Sequence, residues 1–225
     1  MNILAIGPHP DDIEIGCAGT LIKYAQRGHD VFLLLITKGE MGGEAEARYV
    51  FLLLITKGEM GGEAEARYQE QIKAAEIIGA KDIFWGGFKD TELLDEGNKI
   101  IHIIEDYIKK IQPDFIFVNF VDDTHQDHRT VNRSVLSAAR YVRNVMFYEV
   151  PTTTNFTPNV FVDIGSVLDM KIEALKAHGS QVMKTNIQGL SIIDIARSSA
   201  QFRGVQGRVS LAEGFVSERL FINID

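Results

Sequence analysis

The chain has 225 residues, of which 45% are hydrophobic and 24% charged, enough apolar sequence to bury the core of one domain. Its net charge of -8 argues against a nucleic acid or an anionic membrane as partner, because both attract basic surfaces. Cys17 is the single cysteine and excludes an internal disulfide, while acidic residues at positions 11, 12 and 14 interrupt any amino-terminal signal peptide. We therefore expect a cytoplasmic protein with one domain over residues 1–225.

Strand-like and helix-like segments alternate along the chain. The predicted strands are one copy of VFLLLI, which occurs twice, and residues 2–6, 82–85, 114–119, 145–150, 160–164 and 220–224. The predicted helices are residues 16–26, 69–79, 99–111, 128–143, 167–178 and 192–203. Such alternation predicts an α/β fold: a Rossmann-like, doubly wound, mostly parallel sheet with helices on both faces.

A perfect tandem duplication interrupts this pattern. Residues 31–49 and residues 50–68 both read VFLLLITKGEMGGEAEARY. Repeat arrays need about three or more units, so two identical copies do not indicate a solenoid, and one copy is surplus to the domain. Each copy predicts a strand, a turn and the start of a helix. Only the second copy continues into the helical pattern of residues 69–79, so we expect the second copy to hold the strand position.

Polar clusters follow the predicted strands. Residues 9–12 (HPDD) come after the first strand and residues 125–128 (HQDH) after the fourth, while the GEMGG loop and residues 89–91 follow the strands between them. Open α/β sheets bind ligands outside the carboxyl ends of their strands, so these loops should share one crevice. His9, Asp12 and His128 together would form a two-histidine, one-carboxylate set that suits Zn²⁺ or Fe²⁺. In the alternative interpretation, Asp12 caps the following helix and His9 is a hydrogen-bonded turn residue.

Three neighbouring side chains are candidates for proton transfer. Asp11 is not needed for coordination and is free to act as general base on a water whose pKa the metal lowers to roughly 7. His125, held in its charged form by Asp127, could stabilise an oxyanion or protonate a leaving amine. The alternatives are that Asp11 makes only a turn or outer-shell contact and that Asp127 caps a helix.

Several segments resemble the LmbE/PIG-L family of zinc-dependent N-acetylglucosaminyl deacetylases. These are GPHPDDIEIGCAGTL at residues 7–21, HQDH at residues 125–128, and the TKGEMGG loop followed by Arg67 and, three residues later, Glu70. Shorter segments at residues 171–181 and 212–215 resemble the branch that acts in bacillithiol biosynthesis.

The resemblance implies a role for each candidate residue. Its implied zinc ligands are His9, Asp12 and His128. Asp11 would be the base, and His125, oriented by Asp127, would stabilise the oxyanion or act as acid. In the implied sugar pocket, Arg67 would bind substrate, Asp90 would hold sugar hydroxyls, and the loop glutamate would be Glu59 or Glu40.

The sequence therefore predicts a metal-dependent hydrolase that removes the acetyl group from an N-acetylglucosamine-type sugar or conjugate, with zinc-bound water as nucleophile. Two alternatives remain open: a metal-binding module whose catalysis is impaired, and a zinc or iron amidohydrolase that acts on a non-sugar amide. The metal (Zn²⁺ or Fe²⁺), the exact substrate and the formation of a homo-oligomer also stay open.

Overall fold

Strands and helices alternate in the computed structural model, which describes residues 1–39, 63–185 and 187–222. The strands are β1 (Asn2–Gly7), β2 (Asp30–Thr37), β3 (Asp82–Phe88), β4 (Phe115–Asn119), β5 (Asn144–Tyr148), β6 (Val160–Asp163) and β7 (Ala212–Arg219). The helices are α1 (Asp12–Gln26), α2 (Glu63–Ile78), α3 (Gly97–Ile111), α4 (Gln126–Ala138), α5 (Leu168–Ala177) and α6 (Ile192–Gly207), with a 3₁₀ turn at Leu93–Asp95. None of the helices in these described ranges is long and apolar enough to cross a membrane.

These seven strands form one sheet in the order β3-β2-β1-β4-β5-β7-β6. The first five strands pair in parallel, and β7 runs antiparallel to both β5 and β6. The predicted mostly parallel, doubly wound α/β sheet is therefore confirmed. The strand order reverses between β1 and β4, and in this fold class ligands bind outside the carboxyl ends of the strands at such a reversal.

Both faces of the sheet are covered, which explains why residues 3–6 of β1 are all apolar. Ile3 and Ala5 belong to one hydrophobic core, and Leu4 and Ile6 belong to the other. The first core contains buried residues of the helices α1, α2, α5 and α6, namely Leu21, Ile78, Ile172 and Ala196. The second contains buried residues of α3 and α4, namely Ile100, Ile104, Val131 and Val135.

One glycine allows α1 to lie close to the sheet just after the first polar turn. A Cβ at Gly16 would overlap Cδ2 of Tyr148, so no larger residue fits there without displacing that ring. The Tyr148 hydroxyl donates a hydrogen bond to the carbonyl oxygen of Ile6 at 2.9 Å. The start of α1 is thereby fixed against β1 and β5 at the strand-order reversal.

Two predictions about the elements are wrong. The strand beside β1 is Asp30–Thr37, so the first copy of the duplication holds the strand position, whereas α2 begins in the second copy at Glu63. The reason is proximity: the turn after α1 brings the first copy directly alongside β1, where the amide of Asp30 bonds to the carbonyl of Met1 at 3.0 Å. The closing strand is Ala212–Arg219 rather than residues 220–224, of which residues 220–222 lie outside any strand.

Candidate metal centre and active site

The turn between β1 and α1 is built around two adjacent aspartates. Asp11 has a φ of 95°, a conformation that non-glycine residues adopt only when their surroundings impose it. Asp12 begins α1, and its Oδ2 accepts a hydrogen bond from the amide of His9 at 3.0 Å. The turn therefore directs the carboxylate of Asp12 back toward His9, so the two adjacent aspartates have different surroundings.

Three donor atoms converge where β1 and β4 end. Nδ1 of His9 lies 3.2 Å from Oδ2 of Asp12 and 3.4 Å from Nε2 of His128. The third side of the triangle, from Nε2 of His128 to Oδ2 of Asp12, is 3.3 Å. A tetrahedral zinc ion with bonds of about 2.0–2.1 Å separates its ligand atoms by roughly 3.3–3.4 Å. This buried set therefore fits a zinc ion in both chemistry and spacing.

Each of the two histidines in this triangle has a carboxylate on its other ring nitrogen. Nε2 of His9 lies 2.9 Å from Oδ1 of Asp90 and 3.3 Å from Oδ2 of Asp127. Nδ1 of His128 lies 3.0 Å from Oδ2 of Asp123. Metal-binding histidines characteristically donate their second N–H to a carboxylate, which fixes the tautomer and the ring orientation.

Asp123 is the site residue that sequence reasoning missed. It lies five residues before His128, and that spacing alone carries no recognisable motif. A search for carboxylates that could support a ligand histidine would have found it, because Asp122 and Asp123 are the acidic residues between β4 and His125.

The centre is rich in negative charge. Its carboxylates come from Asp11, Asp12, Asp90, Asp123 and Asp127. Burial opposes protonation of His128, but Asp12 and Asp123 outweigh burial and raise the pKa of His128 to about 9. The surroundings therefore favour positive charge at the triangle, and a divalent cation satisfies that preference while displacing the proton.

Asp11 lies in an environment that suits a base. Burial raises the pKa of Asp11 to about 6, although the positive charge of Arg67 acts in the opposite direction. Oδ1 of Asp11 is 3.8 Å from Nη2 of Arg67. A carboxylate with such a pKa is ionised at neutral pH and still accepts a proton readily.

His125 is placed as predicted, but its partner differs. Its Nδ1 accepts a hydrogen bond from the backbone amide of Asp127 at 3.2 Å, and its ring lies 4.8 Å from those of His9 and His128. The Asp127 carboxylate instead contacts His9 and accepts from the amide of Thr91 at 2.7 Å. Burial lowers the pKa of His125, and the neighbouring histidines lower it further. The Asp127 carboxylate raises the pKa of His125 without outweighing these effects, and its role toward His125 stays a prediction.

A second group of donors, formed by His9, His125 and Asp127, also lies within 4.8 Å. It uses the face of His9 that already contacts Asp90 at 2.9 Å, and its carboxylate already accepts from Thr91. The triangle that includes Asp12 is therefore the better candidate for a metal site, with this second group beside it.

The predicted substrate residues lie near the centre. Arg67 is buried; it donates through Nη1 to the carbonyl of Gly39 and through Nη2 to that of Pro10, the latter at 2.8 Å. Gly39 has a φ of 66°, and a Cβ there would overlap Nη1 of Arg67. Arg67 thus joins the loop after β2 to the turn that carries Asp11. Asp90 contacts His9 as described above, and Glu40 and Glu59 lie outside the described residues.

The two later segments that the sequence singled out lie beneath α1. Lys171 and Glu213 form a buried ion pair of 2.6 Å, and Glu213 also accepts hydrogen bonds from the amides of Gly19 and Thr20 at 2.9 and 2.8 Å. This pair fixes α1, and with it the turn that begins the helix, against α5 and β7.

The fold and the site together define a doubly wound α/β protein with a candidate metal centre at its strand-order reversal. Residues 4–139 match the family model described as PIG-L, GlcNAc-PI de-N-acetylase, which is more than half of the chain. The chain therefore belongs to the PIG-L family.

Individual relatives span most of the chain. It is 33% identical over 205 residues to the diacetylchitobiose deacetylase of Thermococcus kodakarensis, covering 80% of this chain and 70% of that protein. It is 27% identical to the "Probable N-acetyl-alpha-D-glucosaminyl L-malate deacetylase 2" of Bacillus anthracis, covering 80% and 81%. The crystal structure of the conserved protein TT1542 from Thermus thermophilus superposes with a TM-score of 0.78 at 25% identity, covering 99% of this chain and 96% of that one.

Proposed function

We propose that this protein is a zinc-dependent deacetylase that hydrolyses the N-acetyl group of an N-acetylglucosamine-type sugar or sugar conjugate. The observation that carries the proposal is the triangle of His9 Nδ1, Asp12 Oδ2 and His128 Nε2, with sides of 3.2–3.4 Å and with Asp11 beside it. The relatives named above as deacetylases of diacetylchitobiose and of N-acetylglucosaminyl malate support the substrate class. Fe²⁺ suits the same donors and is the alternative metal.

Asp11 works beside the proposed metal in the first step. His9, Asp12 and His128 would hold a zinc ion, which would supply Lewis acidity that lowers the pKa of a water to about 7 and polarises an amide carbonyl. Asp11 takes the proton of the attacking water. Its position supports this role, because it adjoins the ligand Asp12 in sequence without belonging to the triangle, and its carboxylate is held near Arg67. The water oxygen bonds to the carbonyl carbon, and the carbon–nitrogen bond breaks as Asp11 passes its proton to the nitrogen. Water and amide thereby become acetic acid and free amine, and the acid releases its proton to become acetate.

His125 acts on the carbonyl oxygen. Since its Nδ1 accepts from the Asp127 amide, the neutral ring carries its proton on Nε2. That N–H donates to the oxygen as negative charge develops there, which is the interaction that an oxyanion-stabilising group provides. Asp127 contributes by fixing His125 through its amide and His9 through its carboxylate.

The substrate contacts are assigned by resemblance. We propose that Arg67 and Asp90 bind the sugar, together with Glu59 or Glu40. The conjugated group beyond the sugar is left unassigned.

The proposal is tested by measuring bound metal in the purified protein and acetate release from N-acetylglucosamine, N-acetylglucosaminyl malate and diacetylchitobiose. Asp11→Asn should retain the metal and lose about 10²–10⁴-fold in turnover, the range for general-base catalysis. Asp106→Asn, which changes an exposed carboxylate on α3, is the matched control and should keep full activity. Bound metal without acetate from any of the three substrates would instead identify a binding module, and near-normal turnover of Asp11→Asn would remove Asp11 as base.

A further inference from the structure

Asp123 occupies a position that links two parts of the site. Its side chain is fully buried, and both oxygens have defined partners. Oδ2 lies 3.0 Å from Nδ1 of His128 and accepts from the hydroxyl of Thr153 at 3.2 Å. Oδ1 accepts from the backbone amide of His125 at 2.8 Å. One carboxylate therefore contacts the ring of a proposed metal ligand and the backbone of the proposed oxyanion-stabilising residue.

The surrounding backbone holds this carboxylate in place. Asp123 pairs with Thr153 in an isolated antiparallel bridge. On either side of it, the amide of Thr124 donates to the carbonyl of Thr152 at 3.1 Å, and the amide of Thr154 donates to that of Asp122 at 2.8 Å. The loop after β5 thus clamps the loop after β4, and the position of Asp123 is set by the backbone on both sides of it.

The contact between Asp123 and His128 determines which ring nitrogen of His128 carries the proton. An ionised carboxylate can only accept hydrogen bonds, so a neutral imidazole facing it must carry its proton on Nδ1. The lone pair of Nε2 is then directed into the triangle with His9 and Asp12. A carboxylate at this position selects the one tautomer of His128 that can bind a metal through Nε2.

We propose that Asp123 is a positioning residue that simultaneously fixes the metal-binding tautomer of His128 and the backbone position of His125. The His128 part of this inference concerns metal binding alone, whereas the His125 part rests on the deacetylase function proposed above. Asp123 couples the two because its two oxygens are rigidly joined: moving one contact moves the other.

Asp123→Asn tests the inference with almost no change in shape. An amide offers one acceptor and one donor group, so it cannot accept from both His125 and His128. When its oxygen keeps the His125 amide, its NH₂ group faces Nδ1 of His128 and forces the proton onto Nε2. We expect the zinc Kd of the metal-free protein, measured by competition with a chromophoric chelator, to rise 10–100-fold. Asp122→Asn, an exposed neighbour with the same change of charge, should leave the Kd unchanged within about twofold.

Two further readouts separate positioning from a general structural role. Long-range ¹H–¹⁵N spectra of the zinc-free protein, recorded above the His128 pKa of about 9 so that the ring is neutral, should show the His128 proton on Nδ1 in the wild type and on Nε2 in Asp123→Asn. At saturating zinc, kcat should fall about tenfold with KM within about twofold, because the displaced His125 acts on the transition state rather than on substrate binding.

If Asp123→Asn does not fold by circular dichroism, Thr153→Val, which removes the supporting hydroxyl, should raise the zinc Kd several-fold relative to Thr153→Ser.

The outcomes of these measurements are distinct. An unchanged zinc Kd with the His128 proton still on Nδ1 would overturn the inference, as would equal zinc affinities of the two Thr153 variants where those carry the test. Absence of acetate release from the wild type would refute the proposed function, but the zinc and tautomer comparisons would still decide the role of Asp123 toward His128.

Discussion

Two clusters of buried charge lie around α1, and they are built on different principles. In the first, beneath the helix, each charged group meets its complement: Lys171 donates to Glu213 at 2.6 Å and to the carbonyl of Ile15 at 2.8 Å. In the second, at the start of the helix, nitrogen and oxygen lone pairs of His9, Asp12 and His128 converge on one another. A donor meeting an acceptor is complete by itself, whereas converging acceptors are stable only around a proton or a cation. Both clusters bury charged groups. They differ in where their polar atoms point: paired donors and acceptors support the fold, whereas converging acceptors form a candidate metal site.

Removal of the metal from the convergent cluster should have the largest effect, on both activity and stability. Exhaustive chelation should abolish acetate release, because the triangle is the proposed source of Lewis acidity. At a free zinc concentration 1,000 times the Kd, the metal adds about 4.1 kcal/mol to the free energy of unfolding, so the melting temperature should fall when zinc is removed. Acetate assays and thermal melts with and without added zinc measure both effects. Full activity and an unchanged melting temperature in metal-free protein would show that the convergence is not a metal site.

Breaking the complementary cluster should have the next largest effect, on stability. Glu213→Gln leaves the buried ammonium of Lys171 without its counter-charge, which costs about 3–5 kcal/mol of unfolding free energy. Zinc affinity of the folded protein should change by less than about threefold, because the triangle shares no side chain with this pair. Urea denaturation and zinc titration below the transition measure the two quantities.

The control for that variant lies on α5. Glu173→Gln breaks the exposed pair of Glu173 with Lys176, and surface changes of this kind typically shift stability by less than about 0.5 kcal/mol. If Glu213→Gln weakens zinc binding as strongly as it weakens folding, the two clusters are one unit and the distinction between them fails.

The convergent cluster was largely predictable from the sequence, and the complementary one was not. His9, Asp12 and His128 follow β1 and β4, and parallel topology brings the carboxyl ends of those strands together whatever the details of packing. The partners of Asp127 and the role of Asp123 depend on side-chain directions that only the packed loops determine. Glu213 lies in β7, whose charged residues do not match the apolar pattern of a buried strand. The apolar residues 220–222 instead predicted a strand where none forms.

The duplication offers the smallest test, because the residues of both clusters lie outside residues 40–62. Deleting residues 40–58 removes 19 residues, leaves 225 − 19 = 206, and leaves one copy of VFLLLITKGEMGGEAEARY, which begins in β2 and ends in α2. The connection between Gly39 and Glu63 shortens from 23 residues to 4, which reduces its closure entropy by about 1.5 kcal/mol at most. We expect unfolding free energy to rise by up to that amount, with zinc affinity unchanged.

Replacing residues 40–58 with the same number of glycine and serine residues is the control that separates length from sequence. That variant should match the wild type in urea denaturation, because its connection is equally long. If the deletion instead destabilises the protein while the glycine and serine replacement does not, the first copy of the strand needs the longer connection to reach its place beside β1. If the replacement is also destabilised, the second copy of VFLLLI contributes to the fold, and the domain uses both copies rather than one.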